Sequence, residues 1–231
     1  MGLRVEHMEL RKGGFLLSAD FSIGAGSLTA VIGPSGAGKS SLFDGIAGFT
    51  TPQSGEVIWR DKVLNRLLPG DRPVAMLFQD NNLFPHLTVR QNIALAITQK
   101  SRLTECEVLK ISTVLDQVGL KGFQNRTQSA LSGGQISRVA LARLLLQNKP
   151  VWLLDEPFSA LGPALKAEML QLVREIAIEV KATVFMITHD PADAMAFADQ
   201  TLLVADAVVS GPFATADLLE NPPKALKDYL G

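Results

Sequence analysis

Two patterns of apolar residues divide the chain. Short apolar or alternating runs, bounded by glycine and proline, predict strands at residues 4–10, 15–23, 27–32, 56–59, 74–78, 151–154, 183–187, 201–205 and 208–209. Helical spacing predicts helices at residues 41–47, 89–97, 104–118, 134–146 and 164–181, with a last short helix after Pro222-Pro223. The sequence therefore predicts one α/β domain with a helical insert between residues 78 and 151.

The composition agrees with a large sheet that is buried on both faces. Apolar residues make up 47% of the 231 residues and the mean hydropathy is +0.19, yet no apolar run approaches the ~18 residues of a membrane span. A net charge of -1 and an isoelectric point near 6.3 give no support for a nucleic-acid partner. Cys106 is the only cysteine and the N-terminus has no apolar signal core, so we expect a cytoplasmic chain without an internal disulfide.

The pattern G-x-x-x-x-G-K-S lies between a predicted strand and a predicted helix. Its glycines permit unusual backbone angles, so that successive N–H groups can point at a phosphate beside the positive end of the helix dipole. The lysine adds a charge for the β- and γ-phosphates, and the serine after it a hydroxyl for Mg²⁺. The sequence thus predicts a nucleoside triphosphate site formed by Gly33, Pro34, Ser35, Gly36, Ala37, Gly38, Lys39, Ser40 and Ser41.

Two carboxylates end the strand predicted at residues 151–154. The carboxyl end of a strand is where α/β sheets bind ligands, and both side chains can reach that crevice. We expect Asp155 to be the Mg²⁺ partner, directly or through water, and Glu156 to be the general base for an attacking water. An Asp-Glu pair alone is common, but it becomes informative downstream of a phosphate loop.

The helix predicted at residues 134–146 starts within the segment Leu131-Ser132-Gly133-Gly134-Gln135. This segment places a hydroxyl and two glycines at a helix start, where unpaired N–H groups favour an anion. With the phosphate loop and the carboxylate pair, this segment resembles the signature of the ATP-binding cassette ATPases. The resemblance implies a P-loop NTPase (RecA-like) core sheet with an antiparallel β subdomain and a helical lobe that carries the signature. We expect a single domain over residues 1–231, with the core at 1–79 and 150–231 and the lobe at 80–149.

Two more residues match this family in chain order, although either alone would be taken as a structural polar residue. Gln79 follows the strand at 74–78 and resembles the glutamine that touches Mg²⁺ and the attacking water. His189 follows the strand at 183–187 and resembles the histidine that contacts the γ-phosphate. The resemblance therefore implies ATP and Mg²⁺ as cofactors, catalytic roles for Glu156, His189 and Gln79, and metal ligands at Ser40, Gln79 and Asp155.

The resemblance also implies partners. In this family the signature of one subunit completes the ATP site of another, in a head-to-tail dimer held by ATP. Ser132, Gly133, Gly134 and Gln135 are then expected to bind the nucleotide held at Lys39 of the second copy. The family further implies a transmembrane permease, contacted by the segment after Gln79, a periplasmic solute-binding protein, and a peripheral position on the cytoplasmic face of the inner membrane.

A narrower similarity concerns the segment from Arg72 to Phe84 and the sequence Glu156-Pro157-Phe158-Ser159-Ala160-Leu161. Both look like the ATPase subunits of bacterial thiamine importers, and the short length fits because sugar- and polyamine-type relatives usually carry an additional C-terminal domain. The similarity implies import of thiamine or its phosphates. Another solute, such as a polyamine, iron or another anion, stays open, as does a soluble ATPase of the family. A nucleotide kinase would leave the signature unexplained.

Three segments depart from the family pattern. Leu10-Arg11-Lys12 stands where an aromatic residue usually stacks on adenine, and Phe15 is the nearest aromatic residue. Ile136-Ser137 replaces a polar pair after the signature. Gly162 stands where an aspartate that crosses the dimer is expected, so we expect weaker coupling between the two ATP sites.

Overall fold

A computed structural model describes residues 2–80, 82–98, 100, 102–224 and 226–227. The strands are β1 (Leu3–Lys12), β2 (Phe15–Ile23), β3 (Leu28–Ile32), β4 (Ser54–Trp59), β5 (Lys62–Val63), β6 (Val74–Leu77), β7 (Val151–Asp155), β8 (Thr183–Ile187), β9 (Gln200–Ala205) and β10 (Val208–Ala214). The α-helices are α1 (Lys39–Ala47), α2 (Val89–Ala94), α3 (Glu105–Gln117), α4 (Gly133–Leu146), α5 (Pro163–Glu179), α6 (Pro191–Phe197) and α7 (Thr215–Glu220). Single turns of 3₁₀ helix lie at Pro69–Asp71 and Gln128–Ala130.

All of these strands belong to one sheet, in the order β5-β4-β1-β2-β10-β9-β3-β8-β7-β6. The five strands from β9 to β6 are parallel to one another, and β5, β4, β1 and β2 are antiparallel. The strand β10 joins the two parts, because it pairs antiparallel with β9 and parallel with β2. The predicted α/β class, with a parallel core and antiparallel strands beside it, is confirmed.

The parallel strands bury both of their faces, as their apolar runs predict. Val31, Leu153 and Ile187 pack toward α1, whereas their neighbours Leu154 and Met186 pack into the larger core that contains α4 and α5. The apolar residues of α1 also contact the antiparallel strands, so the sheet curls around this helix. Helix α1, at the end of the segment that follows β3, is therefore fixed against both parts of the sheet.

The structure differs from the predicted elements in several places. The predicted helix at 89–97 ends at Ala94, and Leu95 and Ile97 beyond it are exposed, with no apolar face to bury. The short helices α6 and α7 were not predicted, and neither was β5, which has only two residues. Strand β10 extends to Ala214 across Gly211-Pro212, which interrupts the strand pattern in the sequence. The helix predicted after Pro222-Pro223 lies largely outside the described residues.

Helices α2, α3 and α4 all fall between β6 and β7, where the helical insert was expected. The exact division of the chain into core and lobe stays a prediction, since α4 packs on β6 and α5 and shares their apolar core. Within the described residues, no helix combines the length and the apolar character that crossing a membrane requires.

Candidate active site

The carboxyl ends of four neighbouring parallel strands bring the predicted site residues to one edge of the sheet. Val31 of β3 is in register with Ile187 of β8, and Ile187 with Asp155 of β7. The next strand, β6, is in register through Leu77 and Leu154. Just after these strand ends come the phosphate loop, His189, Glu156 and Gln79. Open α/β sheets bind ligands at this edge.

The phosphate loop has the backbone that its glycines were expected to allow. Gly33, Gly36 and Gly38 have φ values of 149°, 79° and 107°. A Cβ on Gly33 would lie 1.9 Å from the carbonyl oxygen of Val204, so no larger residue fits there. Helix α1 begins directly after Gly38 without a side-chain cap, which leaves its first N–H groups able to bind an anion.

Lys39 is folded back onto its own loop. Its side chain is buried, and Nζ donates to the carbonyl oxygens of Gly33 at 2.7 Å and Pro34 at 2.9 Å. Burial lowers the pKa of Lys39, and the charges of Glu156 and Asp155 oppose that shift. A largely buried ammonium group that faces carbonyl oxygens is well placed to exchange them for phosphate oxygens.

Asp155 and Ser40 form a second part of the site. Burial raises the pKa of Asp155, whereas a hydrogen bond with the Ser40 hydroxyl opposes the rise and the charge of Glu156 adds to it. A carboxylate and a hydroxyl are the hard oxygen donors that Mg²⁺ takes beside phosphate and water oxygens. These donors fit the metal role that the sequence predicts.

Glu156 has an unusual backbone, with φ of 45°, and such a conformation in a non-glycine residue costs roughly 1–3 kcal/mol. Its N–H donates to the carbonyl oxygen of Ile187 at 3.2 Å, and its carbonyl oxygen accepts from the Ser159 N–H at 3.3 Å and hydroxyl at 3.2 Å. The side chain is turned toward His189, whose Nδ1 lies 3.4 Å from Oε2. The structure thus brings these two predicted catalytic residues into contact.

Gln79 lies two residues beyond the end of β6 and is exposed. The residue before it, Phe78, packs against Phe49 with ring centroids 6.1 Å apart. Gln79 is therefore at the predicted edge of the sheet, just beyond the strand that pairs with β7, which carries Asp155. Its contact with a metal ion stays a prediction.

The signature segment lies at the start of α4 and belongs to a different part of the surface. Ser132 is the N-cap: its Oγ accepts from the Gln135 N–H at 3.4 Å, and Gln135 Oε1 accepts from the Ser132 N–H at 3.0 Å. A Cβ on Gly134 would lie 2.6 Å from Cδ2 of Leu165, so this glycine lets α4 approach α5. Among the described residues no hydrogen bond joins the signature to the phosphate loop, and Ser132 and Gly133 are exposed.

Phe15 has a place that spacing alone could not show. A Cβ on Gly38 would lie 2.8 Å from Cε1 of Phe15, so the ring packs directly on the phosphate loop. The side chain is only partly buried, and it starts β2. The fold therefore brings an aromatic ring to the phosphate loop, although Leu10-Arg11-Lys12 contains none.

Arg72 holds the other end of α1, and sequence reasoning gave it no role. It is 1% exposed, and Nη1 donates to the carbonyl oxygens of Gly45 at 2.9 Å and Ile46 at 2.8 Å. Nε donates to the carbonyl oxygen of Leu67 at 3.2 Å. Burial lowers the pKa of Arg72. A cation at a helix C-terminus is favourable, and here it satisfies carbonyls that the helix leaves open.

A groove of about 520 Å³ lies between the C-terminal end of α1 and the segment that follows β6. Apolar residues line much of it, including Phe49, Met76, Phe84 and Leu95. Arg143 of α4 also lines the groove and donates from Nη1 to the carbonyl oxygen of Asn82 at 2.6 Å. The loop after Gln79 is thereby tied to α4.

Comparisons with known proteins agree with the predicted family. The family model described as "ABC transporter" matches residues 16–159. The chain is 54% identical to the thiamine import ATP-binding protein ThiQ of Ruegeria sp. (strain TM1040), over 99% of both chains. It is 52% identical to the protein of that name from Cereibacter sphaeroides, again over 99% of both chains, and 44% identical to that of Vibrio vulnificus, over 93% of this chain and 92% of the relative.

Solved structures resemble this fold closely. CbiO1 of Clostridium perfringens, part of the ABC transporter complex cbiONQ, superposes with a TM-score of 0.84 at 26% identity, over 95% of this chain and 90% of the other. A dimeric structure of MJ0796, a bacterial ABC transporter cassette, has a TM-score of 0.78 at 28% identity, over 92% and 98% of the two chains. The same cassette is known as a dimer in a post-hydrolysis state with ADP and Pi.

Proposed function

The chain is an ATP-hydrolysing member of the ABC transporter family, and we propose that its hydrolysis powers the import of thiamine across a membrane. The observation that supports the chemistry most directly is the shared edge of β3, β8, β7 and β6, where a phosphate loop faces two carboxylates and a histidine. The proposed solute rests on the relatives that are 44% to 54% identical over nearly their full length.

We assign nucleotide binding to the phosphate loop and the start of α1. Lys39 exchanges the carbonyl oxygens of Gly33 and Pro34 for the β- and γ-phosphates, while the N–H groups around Gly38 bind the same phosphates. Ser40 and Asp155, with Gln79 from the neighbouring strand, would hold Mg²⁺. This ion, when bound, neutralises charge on the phosphates. Phe15 supplies an apolar face beside the loop for the base.

We assign hydrolysis to Glu156 and His189. Glu156 accepts a proton from the attacking water, and its carboxylate is oriented by a backbone that Ile187 and Ser159 hold in place. His189, 3.4 Å from that carboxylate, contacts the γ-phosphate. Gln79 orients the water from the opposite side.

We propose that the signature acts on a second copy of this chain. Ser132 and Gly133 are exposed at a helix start, which suits a phosphate that a second chain presents. The similar cassette MJ0796 is dimeric in two solved structures. Two ATP molecules would then lie between the phosphate loop of one copy and Ser132, Gly133, Gly134 and Gln135 of the other.

We further propose that the groove beside α1 receives an apolar helix of the permease, which places the chain on the cytoplasmic face of the membrane. Phe84 is 47% exposed in this groove. Leu83, by contrast, packs against the main core. Of the two residues, Phe84 is therefore the one suited to docking. A periplasmic binding protein that delivers the solute completes the proposed importer.

The chemical assignment is tested with Glu156→Gln. We expect ATP affinity to stay within about twofold and turnover to fall by about 10²- to 10⁴-fold, which is the usual contribution of a general base. Glu179→Gln is the matched control, because Glu179 is exposed at the far end of α5. Turnover of Glu156→Gln equal to that of the control would overturn the assignment.

The proposed partner and solute need a separate experiment. The tagged chain is purified from membranes, its partners are identified by mass spectrometry, and the complex is reconstituted with a candidate solute-binding protein. We expect uptake of labelled thiamine that depends on ATP. We also expect that Phe84→Asp leaves the chain folded but abolishes co-purification. Uptake of a polyamine or iron in place of thiamine would refute the proposed solute.

A further inference from the structure

A cluster of ion pairs lies directly after His189, at the start of α6. Lys166 of α5 extends toward the start of α6, where its Nζ lies 2.6 Å from Oδ2 of Asp190 and 2.8 Å from Oδ1 of Asp193. The three side chains are 21%, 34% and 13% exposed, so the pairs are partly shielded from water. Such pairs are stronger than those on an open surface.

This cluster fixes the backbone on both sides of His189. The Thr188 hydroxyl donates to Oδ2 of Asp193 at 3.0 Å and accepts from the Asp190 N–H at 3.1 Å. Asp190 also caps α6, since its Oδ1 accepts from the Ala192 N–H at 2.9 Å. Lys166 thus bonds to two of the three side chains, Asp190 and Asp193, that form this hydrogen-bond network next to His189.

The same turn of α5 is in contact with the signature segment. The Lys166 N–H donates to the carbonyl oxygen of Gly162 at 2.9 Å, and the preceding residue, Leu165, packs on Gly134. One turn of helix therefore links the exposed signature surface to the loop that carries His189. A shift of α5 relative to α4 would reach His189 through Lys166.

We propose that Lys166 is a positioning residue for ATP hydrolysis, which holds His189 beside Glu156 by binding Asp190 and Asp193. This inference rests on the proposed role of His189. The charges agree with the geometry: burial lowers the pKa of Lys166, but the bonds and charges of Asp190 and Asp193 outweigh burial and raise it. The hydrogen bond from Lys166 in turn lowers the pKa of Asp190.

The test compares Lys166→Met with Lys166→Arg in the full chain. We expect Lys166→Met to lower kcat by roughly 10- to 100-fold, the cost of a misplaced group, while ATP affinity changes by less than about twofold. Lys166→Arg keeps the charge and should recover most of the activity. Arg174→Met is the matched control, since Arg174 also joins α5 to the end of α6, through the carbonyl oxygen of Phe197 and through Asp199. We expect the control to lower thermal stability but to retain kcat.

A double variant shows whether Lys166 acts through His189. In the background His189→Ala, adding Lys166→Met should lower kcat by less than about twofold, because the residue that Lys166 positions is already gone. Suppose that His189→Ala alone is impaired. If Lys166→Met then retains kcat, or if its full effect adds to that of His189→Ala, the inference fails and the proposed function stands. If His189→Ala hydrolyses ATP like the unaltered chain, the proposed role of His189 fails, and the inference fails with it.

Discussion

Replacing Arg72 by methionine tests whether the C-terminal end of α1 depends on one buried cation. Methionine retains most of the apolar stem but removes the three hydrogen bonds of 2.8 to 3.2 Å to the carbonyl oxygens of Ile46, Gly45 and Leu67. Hydrogen bonds from a charged donor contribute about 1.5–3 kcal/mol each, and the bonds to the carbonyls of Gly45 and Ile46 are buried. The cost of desolvating the guanidinium, visible in its lowered pKa, offsets part of that sum.

We therefore expect Arg72→Met to reduce the free energy of unfolding by about 3–5 kcal/mol, or roughly 6–20 °C in Tm for a chain of this size. The assay is urea unfolding followed by circular dichroism without nucleotide, with ATP affinity measured on the folded fraction. Arg60→Met is the control, because Arg60 is exposed and its guanidinium lies over the Trp59 ring, and we expect it to cost less than about 1 kcal/mol. A loss for Arg72→Met as small as that of the control would refute the reasoning.

Three further predictions concern the nucleotide site. Lys39→Ala should abolish measurable ATP binding in equilibrium titration while the fold is retained, and unchanged affinity would exclude Lys39 as the phosphate ligand. Phe15→Ala should weaken ATP binding by about 5- to 150-fold, in line with about 1–3 kcal/mol for an aromatic stack on a base, with the exposed Phe213→Ala as control. Gly162→Asp should slow dissociation of the ATP-bound Glu156→Gln dimer and raise the Hill coefficient. Reduced thermal stability with no gain in dimer affinity would contradict that expectation.

The structure around Gly162 can accommodate an aspartate. Its φ of -65° and ψ of 157° are open to any residue, and nothing lies within 4 Å of an added Cβ. The backbone at this position therefore does not require glycine. An aspartate at this N-cap would also accept a hydrogen bond from the start of α5, worth a few tenths of a kcal/mol over glycine.

The sequence predicts the site residues at this edge of the sheet well, because each of them belongs to a local sequence pattern. Gly33 to Ser40 form a contiguous pattern, and Asp155, His189 and Gln79 each follow a strongly apolar strand. The order of the parallel strands then places these residues together. The pairing and register of these strands could be read only from the structure, because spacing along the chain does not tell which strands are neighbours.

Long-range contacts account for what the sequence did not predict. The Phe15 ring packs on Gly38. Arg72 donates hydrogen bonds to Gly45 and Ile46, and Lys166 donates one to Asp190. In each case separate elements pack together and create the contact. Helix α6 was missed for a local reason: at seven residues it is too short for a periodic pattern, although Asp190-Pro191 is a typical start signal.

The pairing of β3 has a consequence for the way this protein is made on the ribosome. This strand, which feeds the phosphate loop, pairs only with β8 and β9 on its two sides, and Gln200 Nε2 bonds to Thr29 Oγ1 across 171 positions of sequence. At 5–20 residues per second, synthesis of the partner strands follows that of β3 by roughly 10–30 seconds. Until then neither partner strand of β3 has been synthesised, and the apolar residues of β3 remain accessible to chaperones. A nascent chain released before Ala205 should therefore be unable to retain ATP, although every residue of its phosphate loop has been translated.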